Sequence, residues 1–292
     1  MYRNLKEMLK LANEKQVPLS DIILNNEMKI TSLTEEQVFE KLEKRYQVME
    51  NSVDKALEQA LPTVGSLIEG ISNTQNNYAK SDHTACGSFI NKVMARALSG
   101  SEVNASMGRV CAAPTAGACG ILPAVLVSIS ERENLTRRKT LESLLTASGI
   151  GAIIMKNATV AGAEGGCQSE CGVAASMAAA AAVEMMGGTT EAALNSVAFS
   201  LMNCMGLICD PIAGLVQVPC AQRNASQAVN ALLSADLALA GMTSLIPPDE
   251  VIEAMYKVGK LLPSQLKETS MGGIAATKTG KEIQKRIFDG GI

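Results

Sequence analysis

The stretch CGVAASMAAAAAVEMM, Cys171–Met186, decides the fold class. Alanine is the strongest helix former, and five alanines in a row after a Met leave no alternation from which a strand could be built. The run carries Glu184 and is too short and too weakly apolar to cross a bilayer, so it reads as a helix inside a protein. Outward from it the chain repeats the pattern. Gly187-Gly188 separates it from a helical segment over Thr190–Cys204, and further helices are expected over 225–240 and 249–261. Upstream, Phe89–Leu98 and 118–132 read as helices, and Thr136 caps another ending near Gly149. Residues 1–60 are amphipathic, with Thr34 and Gln37 spaced as a capping box and Val38, Leu42, Val53 and Leu57 at helical intervals. Strand signals are nearly absent, so the expectation is a mostly α protein. The pattern breaks over 61–87, which reads as a polar linker or flap. It suggests an N-terminal segment 1–87 and a helical domain 88–292, or one continuous domain.

Composition narrows the function. The chain has 292 residues, 47% of them hydrophobic, and 26 basic against 29 acidic residues give a net charge of −3. Balanced charge argues against nucleic acid and anionic membrane surfaces. Aromatics make up only 3% with no Trp, which leaves no stacking platform for bases. The N-terminus, MYRNLKE, has no apolar signal region, and no internal repeat is visible, so a cytoplasmic protein is expected. In that compartment eight cysteines point to metal binding or catalysis rather than disulfides.

Three of those cysteines stand in unusual company: Cys167 in GGCQSE, Cys209 in LICDP and Cys220 in VPCAQRN. Glycines before Cys167, Gly166 among them, let the backbone approach a bulky group, and a helix starting after it would favour a thiolate. Three thiolates are one short of the four that saturate a cubane iron–sulfur cluster, and an iron left open can act as a Lewis acid. Cys209 follows Cys167 by 42 residues and Cys220 follows by a further 11, which matches neither zinc fingers nor ferredoxins. By spacing alone, three unrelated buried thiols account for the pattern equally well. Cys111, Cys119 and Cys204 read as small apolar fillers on helix faces. Cys86 and Cys171 are left open, Cys171 being placed to flank the site without ligating.

Over nearly its whole length the chain resembles the alpha chain of the iron–sulfur-dependent, pyridoxal-independent bacterial L-serine dehydratases. The resemblance is carried by EVNASMGR (Glu102–Arg109), APTAG (Ala113–Gly117), GGCQSE (Gly165–Glu170), CDPIAGLVQVPC (Cys209–Cys220) and ETSMGGIA (Glu268–Ala275). It implies a helical catalytic domain in which Cys167, Cys209 and Cys220, on loops between helices, hold a 4Fe–4S cluster with no pyridoxal phosphate. It further implies lyase chemistry: the cluster activates the serine hydroxyl as leaving group, a base takes the α-proton, and pyruvate and ammonia result.

The remaining site residues follow from that expectation. The substrate carboxylate is expected at Pro114, Thr115, Ala116 and Gly117, where backbone N–H groups and a hydroxyl precede a helix. Asn104 and Ser106 are expected beside it, and Gly166, Asp210, Arg223 and Asn224 around the cluster. His83, the sole histidine, in KSDHT, is the candidate base. Related two-chain enzymes take a smaller domain from a separately encoded beta subunit, so a heteromer is expected. Two departures from the family pattern stand out. The usual Gly-Leu-Thr-Gly-Gly-Asp-like stretch is replaced by GSLIEGIS (Gly65–Ser72), and the chain ends on DGGI without the terminal cysteine that some fused relatives offer the open iron. The first keeps open a lyase acting on another β-substituted amino acid, such as cysteine desulfidation. An electron-transfer or sensor protein with a saturated cluster, and a metal-free helical scaffold, are the readings from other classes.

Overall fold

The Thr34 hydroxyl accepts the Gln37 N–H while the Gln37 side chain returns to the Thr34 N–H, so the expected capping box closes. The structure, a computed structural model, describes residues 2–289; the DGGI terminus beyond Asp289 lies outside the described residues. Thirteen α-helices are described: α1 Leu5–Lys15, α2 Leu19–Thr31, α3 Glu35–Asp54, α4 Ile71–Ala79, α5 Gly87–Ala105, α6 Ile121–Arg132, α7 Arg137–Asn157, α8 Gly162–Gly165, α9 Val173–Met185, α10 Thr190–Cys204, α11 Cys220–Leu239, α12 Pro248–Leu261 and α13 Lys278–Asp289. No strand occurs among the described residues; Cys209 and Lys267 form an isolated parallel bridge. The protein is mostly α.

The alanine-rich run is the hub. Every residue of α9 is buried, and α6, α7, α10 and α11 pack around it. Side chains this small let four neighbours approach one axis, and a helix apolar on every side is stable only inside such a shell. The buried cluster runs unbroken from Leu5 in α1 to Met255 in α12.

Helix α5 extends to Ala105, past the expected end at Leu98, and four further differences from the sequence expectation have a tertiary reason. First, α7 runs past Gly149 to Asn157. A Cβ at Gly149 would collide with the Ile23 side chain of α2, so the glycine is a packing notch there, not a stop. Second, the break expected over 61–87 contains α4, and it is tied down. The buried Glu102 carboxylate of α5 accepts the N–H groups of Leu61 (2.7 Å), Gly70 (3.0 Å) and Ser72 (3.2 Å). Asn73 and Asn76 both donate to Leu57 O. The altered GSLIEGIS segment is therefore folded against α5, with Ile68 buried beside Leu98 and Ala221. Third, α11 begins at Cys220 rather than near 225, which moves Arg223 and Asn224 into its first turn. Fourth, α13 lies beyond the last expected helix, and its Ile287 packs on Ile212 and Ala213. No helix among the described residues is long and apolar enough to cross a membrane.

Candidate active site

Cys167 immediately precedes a single π-turn, Gln168–Gly172, that leads into α9. Gly166 just before it has φ +77°, and a Cβ there would lie 2.7 Å from Leu207 O, so only glycine lets the chain turn this tightly into the helix. Cys220 is the first residue of α11. Two of the three cysteines thus sit at helix N-termini, not on the inter-helix loops expected; only Cys209 is on a loop. The cause is the early start of α11 and the π-turn, both invisible to spacing. The location suits the chemistry, because helix N-termini favour thiolates.

The three come together. One cavity of about 210 Å3 is lined by Cys167, Cys209 and Cys220, with Cys171, Glu170, Thr115, Ala116, Gly117, Pro211, Val216 and Glu268. The sulfurs of Cys167 and Cys209 and a carboxylate oxygen of Glu170 all lie within 4.8 Å of one another. The tail closes one wall: Cys209 N–H donates to Leu266 O (2.9 Å), and Glu268 N–H donates to Cys209 O (2.8 Å).

Charge in the cavity is shared. Thiol hydrogen bonds from Cys171 and then Cys209 hold Cys167 well below the usual thiol range, helped by Arg223. Cys171 and Cys209 are pushed up in turn, first by donating to Cys167 and then by burial. Cys220 is pushed up to about 12, by burial first and then by the Cys167 thiolate. Glu170 is raised to about 7, mainly by burial and then by the same thiolate. The Cys167 thiolate and burial together disfavour further negative charge on its neighbours.

Arg223 Nη1 approaches Cys167 Sγ at 3.4 Å and donates to Ile208 O at 2.8 Å, while Nη2 donates to Asp210 Oδ1 at 2.8 Å. Asp210 Oδ2 accepts the Ile274 N–H (2.7 Å), which anchors the tail. Asn224 acts differently from a sulfur donor. It donates to Gly117 O (2.7 Å) and Cys220 O (2.9 Å) and accepts the Gly120 N–H (2.9 Å), stitching the 117–120 turn to α11.

Three of the four residues expected to seat the substrate carboxylate come together. Thr115, Ala116 and Gly117 line the cavity, whereas Pro114 lines a separate apolar cavity with Cys111 and Met155. A 3-10 turn, Ala116–Ala118, intervenes before α6, which starts at Ile121. Thr115 Oγ1 is buried without a hydrogen bond of full geometry, and it stands close enough to the Glu170 carboxylate to favour that group's charged form. Asn104 and Ser106 stand at the C-terminal end of α5, outside this wall, where the Ser106 hydroxyl donates to Val103 O. His83 is exposed on the turn between α4 and α5 and is likewise not part of the wall. Among the other cysteines, Cys204 ends α10 as a helical filler, but Cys111 lies on the irregular stretch after α5 and Cys119 is buried in the turn before α6.

Sequence reasoning missed Glu170 and left Cys171 open. The available signal was spacing: three and four residues after Cys167, both fall on the face that Cys167 presents. It also missed Gly162 in α8. A Cβ there would stand 2.5 Å from Glu170 Oε2 and 3.3 Å from Cys209 Sγ, so the absent side chain is what leaves room for both groups. A set of thiols around such a cradle fits an iron–sulfur group: thiolate is its usual ligand, and the cation would satisfy charge the protein alone does not.

A helical core that gathers soft sulfur donors and a polar turn at one cavity defines a site that could hold a metal. The profile of the serine dehydratase alpha chain family matches residues 14–275, and the chain belongs to that family. It is 48% identical over its full length to the L-serine dehydratase alpha chain of Peptoniphilus asaccharolyticus, covering all of that chain. To the probable L-serine dehydratase alpha chain of Bacillus subtilis it is 46% identical, covering 97% of that chain. L-serine dehydratase 1 of Escherichia coli is 36% identical over 94% of this chain, which spans 61% of that longer protein. The names these relatives carry are those of lyases.

Proposed function

We propose that this chain is the alpha subunit of a cytoplasmic L-serine ammonia-lyase, with a 4Fe–4S cluster held by Cys167, Cys209 and Cys220 and a separately encoded beta subunit as partner. The observation that carries the reading is the convergence of three distant cysteines and the Thr115–Gly117 turn on one cavity. When bound, the cluster supplies a Lewis acid that makes the β-hydroxyl a better leaving group.

The chain's own groups do the rest. Thr115 Oγ1, buried beside Glu170, donates to the substrate carboxylate, and the adjoining backbone of Ala116 and Gly117 lines its seat. Arg223 and Asp210 fix the Cys167 and Cys209 segments relative to each other. His83 is the proposed acceptor of the α-proton; from its exposed turn it reaches substrate when that turn, or the partner chain, closes over the cavity mouth. Asn104 and Ser106, away from the wall, serve in this reading to position that end of α5.

The test is anaerobic reconstitution with iron and sulfide, metal and sulfide analysis, and pyruvate release from serine, threonine and cysteine, with the beta subunit present. Cluster content near four irons, lost in C167S, C209S and C220S, and serine as best substrate are expected. Cysteine as the best substrate would replace this reading with the desulfidase. H83N is expected to lower kcat by about 10²-fold or more with cluster content intact. One observation favours a second reading: Cys171 brings a fourth thiol to the same wall, as a saturated electron-transfer cluster requires. A spectral change of the cluster on adding serine decides against it.

A further inference from the structure

Glu170 carries a carboxylate into the thiol cavity, and nothing in the proposed substrate contacts uses it. It is not the partner of the local cation: Arg223, the guanidinium that reaches Cys167, is engaged by Asp210. Its position is determined from two sides. The missing Cβ of Gly162 leaves room for Glu170 Oε2 beside Cys209 Sγ, and a Cβ at Gly117 would touch Glu170 Oε1 at 3.5 Å. Together with Cys167 and Cys209 it forms a three-donor group with every pairwise distance within 4.8 Å. Cys171 and Cys220 line the cavity outside that close group, Cys171 with its thiol hydrogen-bonded to Cys167.

We propose that the Glu170 carboxylate is the oxygen donor to the metal centre, holding the coordination position that Cys167, Cys209 and Cys220 leave vacant. This rests on the cluster reading above and deepens it. The donor chemistry explains why a carboxylate serves in this position. Oxygen is a poorer match than sulfur for a thiophilic iron, so it protects the iron while remaining displaceable by an incoming hydroxyl ligand. The exchange is of one oxygen donor for another and needs no oxidant or reductant. It also gives the site a protecting group of its own, supplied from within the GGCQSE motif.

The test follows the iron rather than turnover. The full chain, reconstituted anaerobically, is exposed to air or chelator, and conversion to a three-iron cluster is followed by EPR with iron analysis. E170Q is expected to lose one iron at least about ten-fold faster than the wild type, or to fail to take up the fourth iron, with an unchanged circular dichroism spectrum. E170C, offering sulfur, is expected to lose it more slowly. Should E170Q not fold, E170D is the second variant: drawing the carboxylate back by one methylene is expected to speed loss of the fourth iron, and loss at the wild-type rate overturns the proposal. Loss at the wild-type rate in E170Q, or accelerated loss in C171S but not in E170Q, also overturns it. Failure of the underlying reading looks different: wild-type protein that takes up no cluster, or a cluster that survives C167S, C209S and C220S.

Discussion

Replacing Arg223 by methionine would leave the Asp210 carboxylate, its side chain only 2% exposed, with the Ile274 N–H as its remaining partner. The pair spans 2.8 Å, and the same guanidinium satisfies Ile208 O. Stranding one member of a buried pair costs about 3–5 kcal/mol. D210N should cost less, about 2 kcal/mol, because the Arg223 side chain is 15% exposed and water can reach it. In the double variant the stranded charge is gone, so its loss should fall short of the sum of the singles by about 2 kcal/mol. The assay is urea unfolding of the metal-free chain, followed by circular dichroism. With a slope of about 3 kcal/mol/M, R223M should lower the midpoint by about 1–1.7 M. Because this pair joins the Cys209 segment, the tail and α11, the backbone hydrogen bond from Glu268 to Cys209 should loosen as well, seen as faster amide exchange at Glu268. A loss below about 1 kcal/mol in R223M, or additivity within about 0.5 kcal/mol, would refute the claim that this pair holds the site together.

Three further outcomes are expected. G162A should retain its helical spectrum but take up less than half the wild-type iron, as a rough figure, because its Cβ occupies space shared by Glu170 and Cys209; normal iron content would show that the cradle yields. E102A strips the partner from the N–H groups of Leu61, Gly70 and Ser72, so it should destabilise the chain by about 3 kcal/mol and speed hydrogen exchange at those amides above all others; uniform exchange across the chain would count against a local clamp. Burial holds the Glu184 carboxyl above its ordinary range, against the Thr146 hydrogen bond and Lys139. The folded state therefore keeps a proton that the unfolded chain releases in the ordinary carboxylate range. Stability of the wild type relative to E184Q should fall as pH rises from the unfolded pKa through the raised folded one, and stay level below it. Denaturant midpoints of both proteins from pH 4 to 8 measure this, and parallel curves would contradict it.

Local chemistry made much of this protein legible in one dimension. The alanine run needed no partner to declare itself a helix, the Thr34 and Thr136 caps act within three residues of themselves, and strand alternation was absent along the chain. The odd surroundings of Cys167, Cys209 and Cys220 likewise marked each as unusual, because glycine, proline and carboxylate neighbours are short-range features, and the family resemblance joined them as a set. What the chain could not disclose depends on groups far apart in sequence. Helix α4 is built from Asn, Thr and Ser, weak helix formers, and it stands because Glu102 and Leu57 O satisfy its entry and its side chains. Gly149 reads as a terminator until Ile23 is seen to fill its notch. Glu170 became a site residue only when Gly162 and Cys209 were brought beside it, and the tail became a wall only when Lys267 paired with Cys209. Propensity and capping act over a few residues and so are written locally, whereas a cavity is the space left between segments and exists only once they have packed.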